Sequence, residues 1–393
     1  MSILIKNGRI LTMSAQGTLN PGEVLVEGGK IAAVGQNLEH GPDCRVIDAG
    51  GGWVMPGLVD AHCHIGIFGT AAEGDDGNET AGPITPQLRA IDGVNPLDPE
   101  FSLAVKNGVT TVATGPGSAN PIGGQFAAIK TFGRSVDEML LRAPLAMKIA
   151  FGENPKKVYG KNGKEPATRM ATAALIREWL YRALEYAAKK DAANTAPDKM
   201  PAYDIRLEAL EPAVRKQIPL KAHAHRADDI MTALRIAKEF GLDITLDHCT
   251  EGHLIAENIA AHGKGIILGP FAGFPSKPEL VNRSLESAAI LHKAGAKVAI
   301  MTDMPIAHMW FLPISAGLCA RHGLPEEEAF RAITVNPAEI LGLSSRIGSL
   351  EPGKDADIAV FSGNPLESLR SRCVLTLIDG EVRYSDILDL LHN

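Results

Sequence analysis

The sequence predicts an α/β fold, a (β/α)8 TIM-like barrel joined to a small sheet domain that both termini build together. Three observations lead to this fold. From residue 57 to residue 344, apolar strand-like runs alternate with helical stretches, and about 290 residues of that alternation match an eightfold barrel in size. Each end of the chain carries instead a short set of strands and turns, neither long enough for a domain by itself. Several middle strands end in histidine or aspartate, where a barrel gathers its strand ends around one opening.

Composition bounds the reading. A chain of 393 residues is long for one core, so a large domain with a smaller one is the natural division. With 45% apolar and 22% charged residues it reads as an ordinary soluble globular protein. A net charge of −7 argues against nucleic acid and anionic membranes as partners. There is no Lys/Arg-rich tract, and no apolar run approaches the roughly 20 residues that span a bilayer. The N-terminus reads as a strand and a turn rather than a secretory signal. Five scattered cysteines without CxxC spacing fit reduced thiols, so the expected location is the cytoplasm. The expected partner is a small-molecule substrate, and a homo-oligomer is compatible with the composition.

In chain order, residues 3–13 alternate, 23–34 carry a Glu27-Gly28-Gly29-Lys30 hairpin signal, and 45–48 lead into Gly50-Gly51-Gly52. Matching strands return at 357–361 and 374–384. Residues 1–56 plus 345–393 are therefore assigned to the composite domain and 57–344 to the barrel. Barrel strands are expected at 57–60, 109–113, 146–150, 220–224, 243–246, 265–268 and 297–301, with the eighth between 69 and 107 or near 124–130. Helices over 228–240 and 283–294 separate the later ones. A long, Ala-rich, charged helix over 167–190, followed by another over 206–215, is an insertion at the catalytic end or an enlarged fourth βα unit.

The chemistry starts at Val59-Asp60-Ala61-His62-Cys63-His64, where alternation puts His62 and His64 on one strand face. Two imidazoles begin a metal site and cannot complete it. Lys221-Ala222-His223-Ala224-His225 repeats the pattern, Ile244-Thr245-Leu246-Asp247-His248 ends in histidine, and Val298-Ala299-Ile300-Met301-Thr302-Asp303 ends in aspartate. Singly, each is a common structural residue. Together, at the ends of strands 1, 5, 6 and 8, they form a nitrogen-rich set suited to zinc or a similar transition metal. Cys63 and Cys249 point away from the histidines beside them and read as buried hydrophobes. No nucleophile elbow and no phosphate loop is present.

Pro56-Gly57-Leu58-Val59-Asp60-Ala61-His62-Cys63-His64 resembles the first-strand motif of the amidohydrolase superfamily. The stretches Ala332-Ile333-Thr334-Val335-Asn336-Pro337-Ala338 and Gly348-Ser349-Leu350-Glu351-Pro352-Gly353-Lys354-Asp355-Ala356-Asp357 resemble its ending. The likeness runs over nearly the whole chain and is nearest to the imidazolonepropionase-related branch that also holds metal-dependent dipeptidases. It implies a composite β-sandwich and one or two divalent metals. By position, His62 and His64 would bind the more buried metal with Asp303 near it, and His223 and His248 a second one. His225 is a further ligand candidate or a substrate contact. The family's strand-4 bridge matches Lys148, whose costly buried ammonium carboxylation would remove from its apolar strand, with Glu153 as the rival. Met304 stands where many relatives would carry histidine.

A metal lowers the pKa of bound water from about 15.7 towards 7 and polarises a carbonyl. Asp303 is placed to deprotonate that water and to return the proton to the leaving nitrogen. The leading reading is a hydrolase of a C–N bond in a small amide, cyclic amide or peptide-like substrate, compatible with one that bears a carboxylate. A metal-dependent deaminase of a nitrogen heterocycle and a non-catalytic binding or assembly protein on the same scaffold are the alternatives. Gln125, Tyr159, Arg226, His253, His308 and Trp310 are candidate substrate contacts on loops expected at the same end.

Overall fold

The computed structural model describes residues 2–68, 76–193, 195, 197–262, 265–272 and 276–387. The N-terminal segment forms β1 (Ser2–Leu11), β2 (Thr18–Glu27), β3 (Lys30–Gly35), β4 (Arg45–Asp48) and β5 (Trp53–Pro56). The middle forms β6 (Leu58–Cys63), β7 (Val109–Thr114), β8 (Ile122–Lys130), β9 (Leu140–Ala150), β10 (Leu220–Ala224), β11 (Ile244–His248), β12 (Ile266–Leu268) and β13 (Val298–Ile300). The C-terminal segment adds β14 (Ile358–Phe361), β15 (Cys373–Ile378) and β16 (Glu381–Ser385).

The two ends of the chain meet in one sheet of order β16-β15-β14-β5-β1-β2-β3, with β4 alongside β1. Its core comes from every second residue of each strand, such as Ile3 and Ile5, Val24 and Val26, Ile358 and Val360, Leu375 and Leu377. Neither terminal segment presents enough apolar surface alone. Joined through the antiparallel β5–β14 pair, they close a core.

The second sheet, β6 to β13 in chain order, curls into a nearly closed eight-stranded barrel. One feature departs from an all-parallel (β/α)8 barrel, because β8 runs antiparallel to both β7 and β9. The reason lies in chain length. Only residues 115–121 join β7 to β8, whereas a parallel crossover needs a dozen or more residues, so the chain can only turn back. The eighth strand thus sits at the second of its two expected positions. Among the described residues of 69–107 there are two isolated bridges, a short turn of helix at Ala90–Asp92 and the helix Pro99–Lys106; 69–75 lie outside the described residues.

The inserted helices also form. Arg169–Ala193 and Ile205–Val214 pack together between β9 and β10, pinned by Tyr186 Oη donating to Glu208 Oε1 at 2.7 Å. Ala227–Phe240 stops at Gly241, whose φ of 63° is the left-handed conformation a helix end uses.

Asp60 closes the barrel between its two edge strands. Its carboxylate accepts the Thr302 amide at 3.0 Å and the Thr302 hydroxyl at 2.6 Å, while its other oxygen takes the His62 amide at 3.1 Å. Burial pushes the Asp60 carboxyl up to about 6 against those hydrogen bonds. Its role is structural, tying strand 1 to strand 8.

A second buried charge joins barrel to sheet. Lys130, at the end of β8, contacts Asp357 closely and lies 3.2 Å from Asp355 and 3.3 Å from Asp379. Burial alone would lower the Lys130 ammonium, but the carboxylates of Asp357, Asp379 and Asp355 hold it above its ordinary value. Removing one partner of a buried ion cluster strands the others. Lys130→Met is therefore expected to cost about 3–5 kcal/mol of stability. A denaturant-unfolding midpoint unchanged from the parent would remove Lys130 as the pin between the two sheets.

Candidate metal centre

The barrel's C-terminal mouth receives the residues that the strand ends deliver. Along β10, Leu220, Ala222 and Ala224 face the helices while Lys221 and His223 face inward, and His225 follows on the same side. His62, His64, His223, His225, His248 and Asp303 are all buried. Their rings crowd together, with His223 and His248 centroids 4.4 Å apart, His225 and His248 4.5 Å, and His223 and His225 4.7 Å. His64 Nε2 lies 3.3 Å, and His62 Nε2 3.5 Å, from Asp303 Oδ1.

Alternation alone would not bring His248 in. His223 sits opposite Asp247 in the parallel register, so Asp247 is the inward residue of β11 and His248 should point out. The backbone solves this by going left-handed, with φ of 70° at His248 and 49° at Cys249. Asp303 has φ 54° just beyond β13. Left-handed non-glycine residues are strained, and here two of them carry functional groups.

Below the histidines lies a charged floor that the sequence reading missed. Asp247 accepts from Lys221 Nζ at 2.9 Å and from Lys148 Nζ at 3.3 Å, and its Oδ2 faces His62 Nδ1 at 3.0 Å. Lys221 also donates to the Ala61 carbonyl at 3.0 Å. Both ammonium groups lie 5.3 Å from the centroid of the Phe126 ring, on which His62 stacks. Burial would raise Asp247, but Lys221, His62 and Lys148 together hold it well below the carboxylate range. Burial pushes Lys148 down to about 8 against the pull of Asp247. Burial likewise lowers His62, His223 and His225, and takes His248 to about 3. These imidazoles are neutral near pH 7, the form that binds a metal. Burial would also raise Asp303, and a proton on the facing imidazoles of His248, His62 or His64 pulls it well below the carboxylate range.

The donor set fits a transition ion. His223, His225 and His248 each offer an atom within 4.8 Å of the others, and so do His62, His248 and Asp303. His64 Nδ1 donates to the Gly115 carbonyl at 2.7 Å and His248 Nδ1 to that of Gly269 at 3.0 Å. A carbonyl only accepts, so both Nε2 atoms keep their lone pairs.

The mouth opens into a cavity of about 650 Å³. Its wall includes Lys157, Lys277 and Arg283, and among the described residues Asp303 is its single carboxylate. Phe68, Val158, Leu280, Pro305 and Ile306 supply apolar surface. Asn154 links the wall to the histidines. Its Nδ2 donates to Ser118 Oγ at 2.7 Å and sits 3.4 Å from His223 Nε2, and its Oδ1 accepts from Lys277 at 3.3 Å.

The predicted substrate contacts do not line this cavity. Gln125 lies on the outward face of β8, against residues 88 and 89. Tyr159 is buried, its hydroxyl on the Glu79 and Gly82 carbonyls and Asn120 Oδ1, and burial takes it to about 12. Arg226 pairs with Asp228, His253 with Ser287, and His308 stacks on Trp310 beside Glu100. Glu153 opens the helix Glu153–Gly160, pairs with Lys157 at 2.5 Å, and belongs to neither group of converging metal donors among the described residues. Asn154 and Lys277 went unrecognised, the first on a stretch from which Glu153 and Tyr159 were the candidates and the second because nothing but Pro278 marks it.

Comparison with known proteins agrees with this geometry. A family model described as the amidohydrolase family matches residues 53–383. An amidohydrolase from Hapsidospora irregularis, tasK, is 32% identical over 93% of this chain, which spans only 40% of that protein's length. An imidazolonepropionase from Acidiphilium cryptum (strain JF-5) is 27% identical over 93% of this chain and 94% of its own. A crystal structure of an amidohydrolase from Thermotoga maritima MSB8 superposes with a TM-score of 0.93 at 42% identity, over 98% of this chain and 100% of that one.

The floor makes a clear demand on stability. Asp247→Asn leaves two buried ammonium groups without their carboxylate, and a loss of about 3–5 kcal/mol is expected in denaturant unfolding. A variant as stable as the parent would mean that Asp247 does not balance the lysines.

Proposed function

Because the chain belongs to the amidohydrolase family and is a hydrolase of carbon–nitrogen bonds, we propose that it is metal-dependent and cleaves a small, carboxylate-bearing amide, cyclic amide or peptide-like substrate. One observation carries this reading. Buried histidines and Asp303 converge on a cavity with three cations in its wall and, among the described residues, no other carboxylate. The relatives named imidazolonepropionase support a ring amide with an acid side arm as one form of the substrate.

In this reading His62, His64 and Asp303 hold the more buried ion, and His223 and His248 hold a second. A divalent metal there, most simply zinc, supplies a water that ionises near neutral pH and a Lewis acid for the scissile carbonyl. Asp303 takes the proton from the attacking water and returns it to the leaving nitrogen. Asp247 faces the far nitrogen of His62 and orients the ring. Lys277, held by Glu279 Oε1 at 2.7 Å and by Asn154, receives the substrate carboxylate with help from Arg283. Water leaves the apolar side of the cavity as Phe68, Leu280 and Ile306 meet the substrate.

Lys148 is the proposed bridge between the ions, in carboxylated form. Two ammonium groups against one carboxylate form an unbalanced buried set; addition of carbon dioxide to the free amine of Lys148, with loss of a proton, would turn it into an anionic carbamate whose charge bound cations would balance. Its lowered pKa keeps part of the amine free to react. The division of the chain at residues 56/57 and 344/345 and a cytoplasmic location belong to the same reading. The five free cysteines are consistent with a reducing compartment, and no described helix is long and apolar enough to cross a membrane.

The test is a panel of N-acyl amino acids, dipeptides and imidazolone acids, assayed for released amine or ring-opened acid beside their neutral amide analogues. Turnover of the acids that disappears on chelation and returns with zinc is expected. Ammonia release from nitrogen heterocycles alone would favour the deaminase alternative. Asp303→Asn is expected to lower kcat about 10²–10⁴-fold in metal-replete protein, the range of general acid–base catalysis. Lys277→Met is expected to raise KM for the acid roughly ten- to a hundredfold, as loss of a charge-assisted contact of about 1.5–3 kcal/mol requires. KM for the neutral analogue is expected to stay put. Equal effects on both would remove Lys277 from carboxylate recognition.

A further inference from the structure

The two groups of three donors in the mouth share His248, and that sharing has a consequence. His248 Nδ1 donates to the Gly269 carbonyl, so Nε2 is its single lone pair, and one lone pair binds one ion. With two ions bound, one group must do without His248. The group of His62 and Asp303 has a replacement at hand in His64, whose Nε2 keeps its lone pair and lies 3.3 Å from Asp303 Oδ1. The group of His223 and His225 then keeps His248.

The metal-dependent reading above gives that second ion only two nitrogen donors, His223 and His248. On the basis of that reading, we propose that His225 is its third nitrogen donor, making an all-imidazole site of His223, His225 and His248. The donor atoms of the three already lie within 4.8 Å of one another. His225 is 3% exposed, its Nδ1 meets Thr250 Oγ1 at 2.8 Å, and its Nε2 is buried without a hydrogen-bond partner. The nearest charge is Glu279 Oε1 at 3.7 Å. An imidazole nitrogen sealed from water with nothing to bond is costly unless something arrives to bond it. A cation between the three rings satisfies it.

The sequence pattern explains the preorganisation. In Lys221-Ala222-His223-Ala224-His225 the alanines take the helix-facing positions, so both histidines share the inner face. Thr250 meets one nitrogen of His225 and leaves the other turned to its neighbours. Three neutral nitrogens select zinc-like ions over magnesium or calcium. The site holds whether or not Lys148 is carboxylated.

The full-length protein, stripped with chelator and titrated with Co(II), is expected to take up two equivalents. In His225→Asn the second equivalent is expected to weaken about tenfold or more, with loss of its visible absorption, while the first is unchanged. Two equivalents bound by His225→Asn at parental affinity would overturn the proposal. Should that variant fail to fold by circular dichroism, zinc-loaded crystals of the parent decide the matter. A His225 nitrogen about 2.0–2.1 Å from an ion supports the site, and a His225 beyond ligand distance of every bound ion overturns it. A parent that binds no transition ion overturns this site together with the metal-dependent reading, whereas two ions bound without His225 overturn this site alone.

Discussion

Everything in the mouth of this barrel depends on how Asp247 is shared. A single buried carboxylate faces Lys148, Lys221 and His62 at once. Without it, two ammonium groups would sit in the barrel interior on the face of Phe126 with no counter-charge. With it, the interior tolerates a polar layer between the apolar floor of Val59, Ala61, Ala128 and Met301 and the histidines above. The histidines stay neutral chiefly because burial disfavours their charging, with the Lys148 ammonium adding to it and Asp247 opposing it at His62. A neutral imidazole in a dry pocket is a ligand in waiting. Burial, modulated by the charges of the floor, therefore sets the chemistry of the rim.

Backbone geometry supplies what side-chain alternation cannot. A strand can present every second residue to the barrel interior. Asp247 and His248 are adjacent, yet both are needed inside, and the left-handed turn at His248 and Cys249 provides for both. Asp303 uses the same device after β13, while the Asp60–Thr302 bonds hold the strand beneath it. Strain is placed on top of the tightest part of the seam, where the surrounding hydrogen bonds can hold it.

Much of this was legible in the sequence, and the residues that were not share a reason. Strand-end histidines and Asp303 were found because an apolar run that ends in a polar residue fixes both its position and its side of the barrel. The joining of the two terminal sheets was legible because each segment alone lacks a core. The parallel direction expected of the eighth strand was wrong for a reason countable in advance, the short link at 115–121. Asp247 is masked in the sequence by the histidine beside it, although strict alternation favours Asp247 as the inward residue. For Tyr159, Arg226, His253 and His308 the sequence offers only a place on loops expected at the right end. A loop's position says nothing of where its side chains point, and each found a nearer partner.

Two glycines show how far the site reaches into its scaffold. The proton positions of His64 and His248 are set by the carbonyls of Gly115 and Gly269. A Cβ on Gly115 would fall 2.2 Å from the Phe126 ring, the same ring that carries His62 and the two lysines. Gly269 has φ 134°, and a Cβ there would meet the Met301 carbonyl at 2.6 Å, just below Asp303. Each glycine thus lets a loop approach closely enough for its carbonyl to reach an imidazole. In doing so each ties one tautomer to the packing of the barrel interior. The free nitrogens in the mouth follow from backbone fit as much as from the histidines themselves.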